Sequence, residues 1–192
     1  MSIDALPAPQ ARPSPSPPPP PSPPPPFLSL YADAAAKIAA WGARALFTTL
    51  CYSKRVHGAS AATFHSRCDG RGASVTIMRL SNGKVIGGYT PVAWSTNGGY
   101  ASSCGAFLFS ITNDFKHSII GSCSNAIYGS SSYGPTFGSG HDLRVNSDMS
   151  GGICNLGSTY NCRVGSYASS SNSYSSACRE DFCGSYDGYG WS

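Results

Sequence analysis

The chain has 192 residues, enough for one domain with an appendage, and thirteen of its fifteen prolines precede Phe27. Charged residues make up only 11%, and the net charge of +4 is spread thinly, with Lys54-Arg55 as the only basic doublet. Nucleic-acid binding is disfavoured because it needs a basic patch or stripe. No run reaches the roughly 18 apolar residues that a membrane-spanning helix requires.

Residues 1–26 form a low-complexity segment with runs of five and four prolines. Such a composition cannot bury a core and favours an extended polyproline II conformation, so we predict a disordered tail here. The tail would serve as a stiff spacer or as a ligand for aromatic grooves. Its composition also resembles the Ser-Pro-Pro-Pro-Pro spacers of plant and algal wall glycoproteins. Residues 27–192 are then predicted to form one domain.

The first part of the domain shows alternating helix and strand patterns. Alanine-rich residues 31–46 predict a helix, and residues 47–52, rich in β-formers, predict a strand. Ser60 is placed to cap a short helix over 61–65, which should end near Cys68-Asp69-Gly70. His65 on that helix has no second histidine four residues later, so we interpret it as a packed or surface residue rather than a metal ligand.

The middle of the domain predicts β-structure. Residues 74–80 alternate, Asn82-Gly83 supplies a turn, and residues 84–89 return, which is typical of a hairpin. Gly87 and Gly88 inside the second strand indicate a bulge or a close backbone approach. The nearly continuous apolar run 106–111 predicts a central strand packed on both faces, and residues 117–122 and 125–128 predict two short strands.

A glycine-rich segment, Tyr133 to Leu143, predicts a tightly folded corner, since three glycines and one proline lie between apolar anchors. The strand Leu143-Arg144-Val145 should follow it. The pair His141-Asp142 has two interpretations. Its side chains could satisfy backbone groups of the corner, as polar turn residues usually do. Alternatively they could form a catalytic His-Asp pair, although no nucleophile is placed nearby.

Eight cysteines leave the redox state open between two alternatives. An even number would suggest four disulfides in a secreted protein. No basic region followed by an apolar core is visible at the N-terminus, so we expect reduced, partly buried thiols instead. The cysteines are Cys51, Cys68, Cys104, Cys123, Cys154, Cys162, Cys178 and Cys183.

Motifs for chemistry are missing from the sequence. It contains neither a Gly-x-Ser-x-Gly elbow nor a phosphate-binding loop, and Glu180 is its only glutamate. A zinc ribbon or finger needs two Cys-x2–4-Cys pairs, and only Cys178-x4-Cys183 has that spacing, whereas Cys154-x7-Cys162 does not. Cys68 and Cys123 could act as nucleophiles only beside a histidine, which the sequence does not place. We therefore predict no catalytic residues, no cofactor and no metal.

Several ordered blocks resemble a TLDc domain. The likeness begins with Trp41, Leu50-Cys51-Tyr52 and His57-Gly58-Ala59-Ser60, and it extends over roughly residues 28–192. The family-motif residues, with structural or interaction roles, are Phe64, His65, Cys68, Asp69, Gly87, Gly88, Tyr89, Trp94, Phe107, Phe109, Gly134, Pro135, Phe137, Gly138, Gly140, His141 and Asp142.

The resemblance implies an α+β fold in which two antiparallel β-sheets form a sandwich flanked by short helices. It also implies a non-enzymatic interaction module located in the cytoplasm, linked to oxidative-stress resistance and binding subunits of the vacuolar proton pump, the V-ATPase. Family members usually end with an acidic-apolar strand, which we expect this chain to lack, leaving an unpaired sheet edge. The alternative function is a wall- or matrix-associated protein with a glycosylated proline tail and a disulfide-bonded domain.

Overall fold

The computed structural model describes residues 26–43, 49–164, 175–185 and 189–191, so the predicted disordered tail lies outside the described residues. Within these ranges, no helix combines the length and the apolar character needed to cross a membrane. The helices are α1 (Pro26–Ala40), α2 (Lys54–His57), α3 (Ala61–Cys68) and α4 (Ser176–Cys183), with a 3-10 helix at Cys123–Asn125.

In the described part of the chain, ten strands form two antiparallel sheets. The first has the order β1-β2-β4-β5, and the second has the order β10-β9-β8-β7-β6-β3. This arrangement confirms the predicted α+β sandwich with short helices. The strands are β1 (Ser74–Arg79), β2 (Val85–Thr90), β3 (Asn97–Ala101), β4 (Phe107–Ser110), β5 (Phe115–Ser118), β6 (Ile127–Ser130), β7 (Thr136–Phe137), β8 (Leu143–Val145), β9 (Gly152–Cys154) and β10 (Tyr189–Trp191).

Several helices and strands lie where short sequence patterns predicted them. The β1–β2 hairpin and the strands β4 and β8 are confirmed, and Ser60 caps α3 by accepting a hydrogen bond from the backbone N–H of Thr63 at 3.4 Å. α1 begins five residues earlier than predicted and ends at Ala40. β5 and β6 each lie about two residues from their predicted positions, an error typical of boundaries read from short patterns.

The strand predicted at residues 47–52 is wrong where the structure describes it. Residues 49–53 have no strand partner, and residues 47–48 lie outside the described ranges. Side chains hold this segment instead: Cys51 is bonded to Cys68, and the hydroxyl of Tyr52 donates to the carbonyl of Gly58 at 2.6 Å. High β-propensity therefore did not produce a strand here, because no neighbouring strand pairs with the segment.

The main core lies between the two sheets and depends on close aromatic packing. The ring of Trp94 meets that of Phe137 edge-on at a centroid distance of 5.3 Å, and Phe64 meets Trp94 at 5.8 Å. Phe137 rests directly on β2 at Gly88, where a Cβ would lie 2.5 Å from the ring. Gly88 therefore provides the close approach predicted from the sequence, while β1 and β2 pair without a bulge.

A second, smaller core lies on the outer face of the four-stranded sheet. Ala34 and Ile38 of α1 are buried there with Tyr89, Phe107 and Phe109. β4 alternates between the two cores, because Leu108 points into the main one while its phenylalanine neighbours face α1. Burial on both faces is what the apolar run predicted.

All eight cysteines form disulfides, so the expectation of reduced thiols is wrong. The fold brings each pair within 4.9–6.5 Å between Cα atoms, a distance that permits bonding and that spacing along the chain could not reveal. A disulfide that closes a loop of this size stabilises the folded protein by about 3 kcal/mol, because it restricts the conformations of the unfolded chain. The pairs are Cys51–Cys68, Cys104–Cys123, Cys154–Cys183 and Cys162–Cys178, the last nested inside the third.

Replacing Gly88 by alanine should destabilise the sandwich by about 1–3 kcal/mol, because the new methyl group would overpack the contact with Phe137. Gly99→Ala is the matched control, since nothing lies within 4 Å of its Cβ position. The measurement is the free energy of unfolding in urea with disulfides intact. Equal stability of the two variants would show that Phe137 does not need this close approach.

Candidate functional site

The glycine-rich corner is shaped by backbone conformations that few side chains permit. Gly138 and Gly140 have φ values of 82° and 70°, and His141 has φ 63°. A Cβ on Gly138 would also lie 2.0 Å from a carboxylate oxygen of Asp142, so this position requires glycine for two independent reasons. The backbone N–H of Gly138 donates to the carbonyl of Ala126 at 3.0 Å, which anchors the corner beside β6.

Asp142 is fully buried, and its carboxylate accepts hydrogen bonds from four consecutive backbone N–H groups. The donors belong to residues 157–160 and lie 3.0–3.2 Å from the carboxylate oxygens. Burial raises the pKa of Asp142 to about 7, while the four backbone hydrogen bonds act in the opposite direction. The side chain thus joins the corner to the turn after β9.

These contacts decide how the His141-Asp142 pair is arranged. The backbone amides of residues 157–160 occupy the carboxylate of Asp142, whereas the ring of His141 packs edge-on between Tyr128 and Tyr133. The Nδ1 atom of His141 is buried and has no hydrogen-bond partner among the described residues. A carboxylate used in this way orients the backbone, so the geometry favours the structural interpretation of the pair.

His65 connects α3 to the same corner. Its Nδ1 lies 2.7 Å from a carboxylate oxygen of Asp69, and its Nε2 donates to the carbonyl of Tyr133 at 2.9 Å. The backbone of Asp69 in turn forms a bridge with Trp94. His65, interpreted from the sequence as a packed or surface residue, is therefore a buried hydrogen-bonding link between the helix and the corner.

The family-motif residues lie in two places rather than in one cleft. One group surrounds the main core and the corner: Phe64, His65, Cys68, Asp69, Gly88, Trp94, Gly134, Pro135, Phe137, Gly138, Gly140, His141 and Asp142. The other faces α1: Gly87, Tyr89, Phe107 and Phe109. Most of these side chains are buried, so they shape the scaffold and leave only the His141 end of the corner open to solvent.

A partly exposed aromatic surface adjoins that open end. We call it the tyrosine cluster, and it consists of Tyr100, Tyr128, Tyr133, His141 and Arg144. Its rings form a continuous series: Tyr100 to Tyr128 at 4.9 Å, Tyr128 to His141 at 5.5 Å, and His141 to Tyr133 at 5.6 Å. The guanidinium of Arg144 then lies 4.4 Å from the centre of the Tyr133 ring.

The tyrosine cluster lies on the outer face of the six-stranded sheet. On β6, Ile127 points into the main core and Tyr128 points away from it; on β8, Leu143 and Arg144 divide in the same way. Tyr100 is 44% exposed. Burial, and to a lesser extent the nearby Arg144 cation, lowers the pKa of His141, so its ring is neutral at neutral pH.

No sequence motif marked Tyr100, Tyr128 or Arg144 as a site residue. A signal existed, because Ile127-Tyr128-Gly129 and Leu143-Arg144-Val145 each alternate between core and solvent. What the sequence could not give was the pairing of β3 with β6, which places Tyr100 directly opposite Tyr128 although the two are far apart in the chain.

His117 is a second buried histidine outside the corner. Its Nδ1 donates to the carbonyl of Asn161 at 2.7 Å, and the rings of Phe115 and Phe182 lie 4.9 Å on either side. Burial lowers its pKa to about 4, although Asp181 acts to raise it and Arg163 to lower it further. Its Nε2 is buried and has no hydrogen-bond partner in the described part of the chain.

The arrangement defines a class of protein: a disulfide-bonded sandwich scaffold that presents one aromatic face. The four cysteines considered for a metal, Cys154, Cys162, Cys178 and Cys183, are all in disulfides. Among the described residues, no three His, Cys, Asp or Glu side chains are grouped so that they could hold a metal ion.

The family model for the TLDc domain matches residues 40–178, which is well over half of the chain. The chain therefore belongs to the TLDc family, as its sequence blocks predicted. No curated protein matches it.

Asp142→Ala should lower the free energy of unfolding by at least about 3 kcal/mol, because it leaves four buried backbone N–H groups without an acceptor. Asp148→Ala is the control: Asp148 accepts from Ser150 in a comparable turn but is exposed, and its loss should leave the unfolding midpoint unchanged. If both variants unfold at the same urea concentration, Asp142 does not hold the corner.

His117→Asn should reduce the loss of stability on acidification. Because the pKa of His117 is lowered in the folded state, its contribution is fully present above its usual pKa of 6.5 and is lost as pH falls toward about 4. The raised pKa of Asp142 acts in the opposite direction, since that contribution is lost as pH rises toward about 7.

The asparagine amide can still donate to the carbonyl of Asn161, so the variant keeps this hydrogen bond while it removes the titratable ring. Its effect on packing is then independent of pH, and any pH-dependent difference comes from the lost ring. The measurement is the difference in unfolding free energy between variant and parent at several pH values from 4 to 7, which cancels the contribution of Asp142. A difference that stays constant over this range would rule out His117 as the titrating group.

Proposed function

We propose that the chain is a non-enzymatic TLDc interaction module that binds another protein through the tyrosine cluster. The observation that carries this proposal is the continuous series of four aromatic rings and one guanidinium on an open sheet face. Tyrosine and arginine are enriched at the energetically important centres of protein interfaces. Their rings offer large apolar contact areas, while the hydroxyl and guanidinium groups supply directional hydrogen bonds.

The scaffold holds this surface ready for binding. Tyr128 stands on β6 and Arg144 on β8, the two neighbours of β7 in the six-stranded sheet, and His141 is held by the adjacent Asp142 and its four hydrogen bonds. Side chains fixed in this way lose little conformational freedom on binding, so more of the contact energy remains as affinity. The Nη2 of Arg144 is bonded to Asn146 and its Nε is buried, so the Nη1 group is the donor that remains for an acidic or carbonyl-rich partner surface.

A V-ATPase subunit is the partner that family membership suggests, and with it a role in pump assembly and oxidative-stress resistance. The test uses V-ATPase purified from the source organism and immobilised, with the full-length chain as the soluble partner. The double variant Tyr100→Ala/Tyr128→Ala should bind about tenfold more weakly, the usual effect of removing a central aromatic contact. Val56→Ser is the control, because Val56 is exposed but lies outside the tyrosine cluster.

If the parent chain does not bind the pump, the V-ATPase is removed from the proposal. If parent and double variant bind equally, the tyrosine cluster is not the binding surface. Retention of normal stability by the double variant, measured by urea unfolding, excludes a folding defect as the cause of lost binding.

A second candidate function is favoured by the cysteine pairing. Four disulfides are typical of oxidising compartments, whereas cytosolic proteins keep their thiols reduced. Together with the proline-rich segment 1–26, this favours a wall- or matrix-associated protein in which the tail is a glycosylated spacer. The cytoplasmic location stays a prediction, and this pairing weighs against it.

The two locations predict different masses for the native protein after alkylation. In the wall- or matrix-associated form, alkylation without reduction should add no groups, and peptides from residues 1–26 should carry hydroxyl and sugar additions. In the cytoplasmic form, alkylation should label thiols directly, and the tail should be unmodified. Protein purified from its source with alkylating agent present during lysis is required, because air oxidation would otherwise form disulfides.

A further inference from the structure

The four disulfides differ sharply in their access to solvent. Cys154 and Cys183 are fully buried, Cys162 and Cys178 are 1% exposed, and Cys51–Cys68 has one buried and one half-buried cysteine. Cys104–Cys123 is different, because Cys104 is exposed and Cys123 is half-buried. Thiol–disulfide exchange requires a thiolate to reach a sulfur atom, so access alone ranks this bond as the most reactive.

The surroundings of Cys104–Cys123 also suit an incoming thiolate. Both cysteines line an open hollow of about 300 Å³. Lys116 lines the same hollow, with its ammonium group bonded to the carbonyl of Trp41 at 2.6 Å. A cation in the same hollow favours the thiolate over the thiol, both for the attacking group and for the cysteine that leaves.

The same disulfide closes the end of the strand pair β3–β6. The last paired residues are Ala101 and Ile127, and beyond them the backbone N–H of Ser103 donates to the carbonyl of Cys123 at 3.1 Å. The bond from Cys104 to Cys123 therefore links the segment that follows β3 to the segment that precedes β6, next to the last paired residues. No other disulfide crosses between β3 and β6.

Without the Cys104–Cys123 disulfide, β3 would be only weakly held. It is an edge strand, four of its five residues are exposed, and its pairing with β6 is irregular between Asn97 and Gly99. It nevertheless carries Tyr100, the most exposed ring of the tyrosine cluster. Elements with little burial and an open edge are the first to open locally.

We propose that Cys104–Cys123 is a thiol–disulfide exchange site, with a dithiol reductant as co-substrate, and that its reduction releases β3 from β6. One thiolate of the reductant attacks the sulfur of exposed Cys104, the disulfide breaks, and Cys123 leaves as a thiolate. The second thiol of the reductant then attacks the mixed disulfide and frees Cys104. The reductant departs as a disulfide, and the protein has gained two electrons and two protons.

This inference rests on the proposed function in one respect only: release of β3 would break up the tyrosine cluster, which is the surface proposed to bind the partner. Reduction would separate Tyr100 from Tyr128, while the main core and the three other disulfides keep the sandwich folded. Binding through the tyrosine cluster would then depend on the thiol–disulfide balance around the protein.

The experiment treats the full-length oxidised chain with increasing dithiothreitol under native conditions, alkylates the thiols, and identifies labelled peptides by mass. Cys104 and Cys123 should be labelled first, at a rate at least about tenfold above that of Cys154, Cys162, Cys178 and Cys183. Cys51–Cys68 should follow second. Labelling of any other pair before Cys104 and Cys123 would overturn the exchange site.

Amide hydrogen exchange then tests the release of β3. Peptides that contain residues 97–101 should exchange at least about tenfold faster after selective reduction, while peptides from β4 and β8 should not change. The variant Cys104→Ser/Cys123→Ser should show the faster exchange without reductant, and at the same dose its six other cysteines should stay unlabelled.

If amide hydrogen exchange at residues 97–101 is unchanged in the reduced chain, the proposed release of β3 is wrong. Both measurements use the isolated chain, so their outcome does not depend on whether the tyrosine variants lose a partner. A failure here and a failure of the proposed function are therefore separate results.

Discussion

The buried carboxylate of Asp142 accepts hydrogen bonds from four backbone amides, and several other features depend on this contact. It fixes the turn at residues 157–160, and Tyr160 at the end of that turn donates through its hydroxyl to the carbonyl of Ala126 at 2.6 Å. Ala126 also accepts from the N–H of Gly138, so the turn, β6 and the glycine corner form one hydrogen-bonded unit. Few other side chains could do this, because the site needs a compact acceptor with several lone pairs.

The unit built around Asp142 serves two faces of one sheet. Toward the inside, Phe137 packs on Gly88 of the opposite sheet and closes the sandwich. Toward the outside, His141 leaves the corner with φ 63° and enters the series of rings between Tyr128 and Tyr133. A corner that appears purely structural thus determines where the exposed aromatic side chains stand, which explains how buried motif residues could matter for binding.

The sequence was informative wherever the deciding contacts are local. Ser60 as a cap, Asn82-Gly83 as a turn and the alternation of residues 74–80 each act within a few residues, and the structure contains them all. The sequence was uninformative where distant segments meet. The spacing of the cysteines left their redox state open, whereas tertiary structure brings all eight into pairs. Likewise, Tyr100 and Tyr128 become neighbours only through the β3–β6 pairing, which no local pattern encodes.

The nested pairs Cys154–Cys183 and Cys162–Cys178 determine which changes of sequence length this part of the fold can tolerate. The inner bond fixes both ends of residues 163–177, so whatever length or composition stands between them adds little to the cost of closing the loop. A change of length within this serine-rich interval should therefore disturb the fold less than the loss of any of the four cysteines.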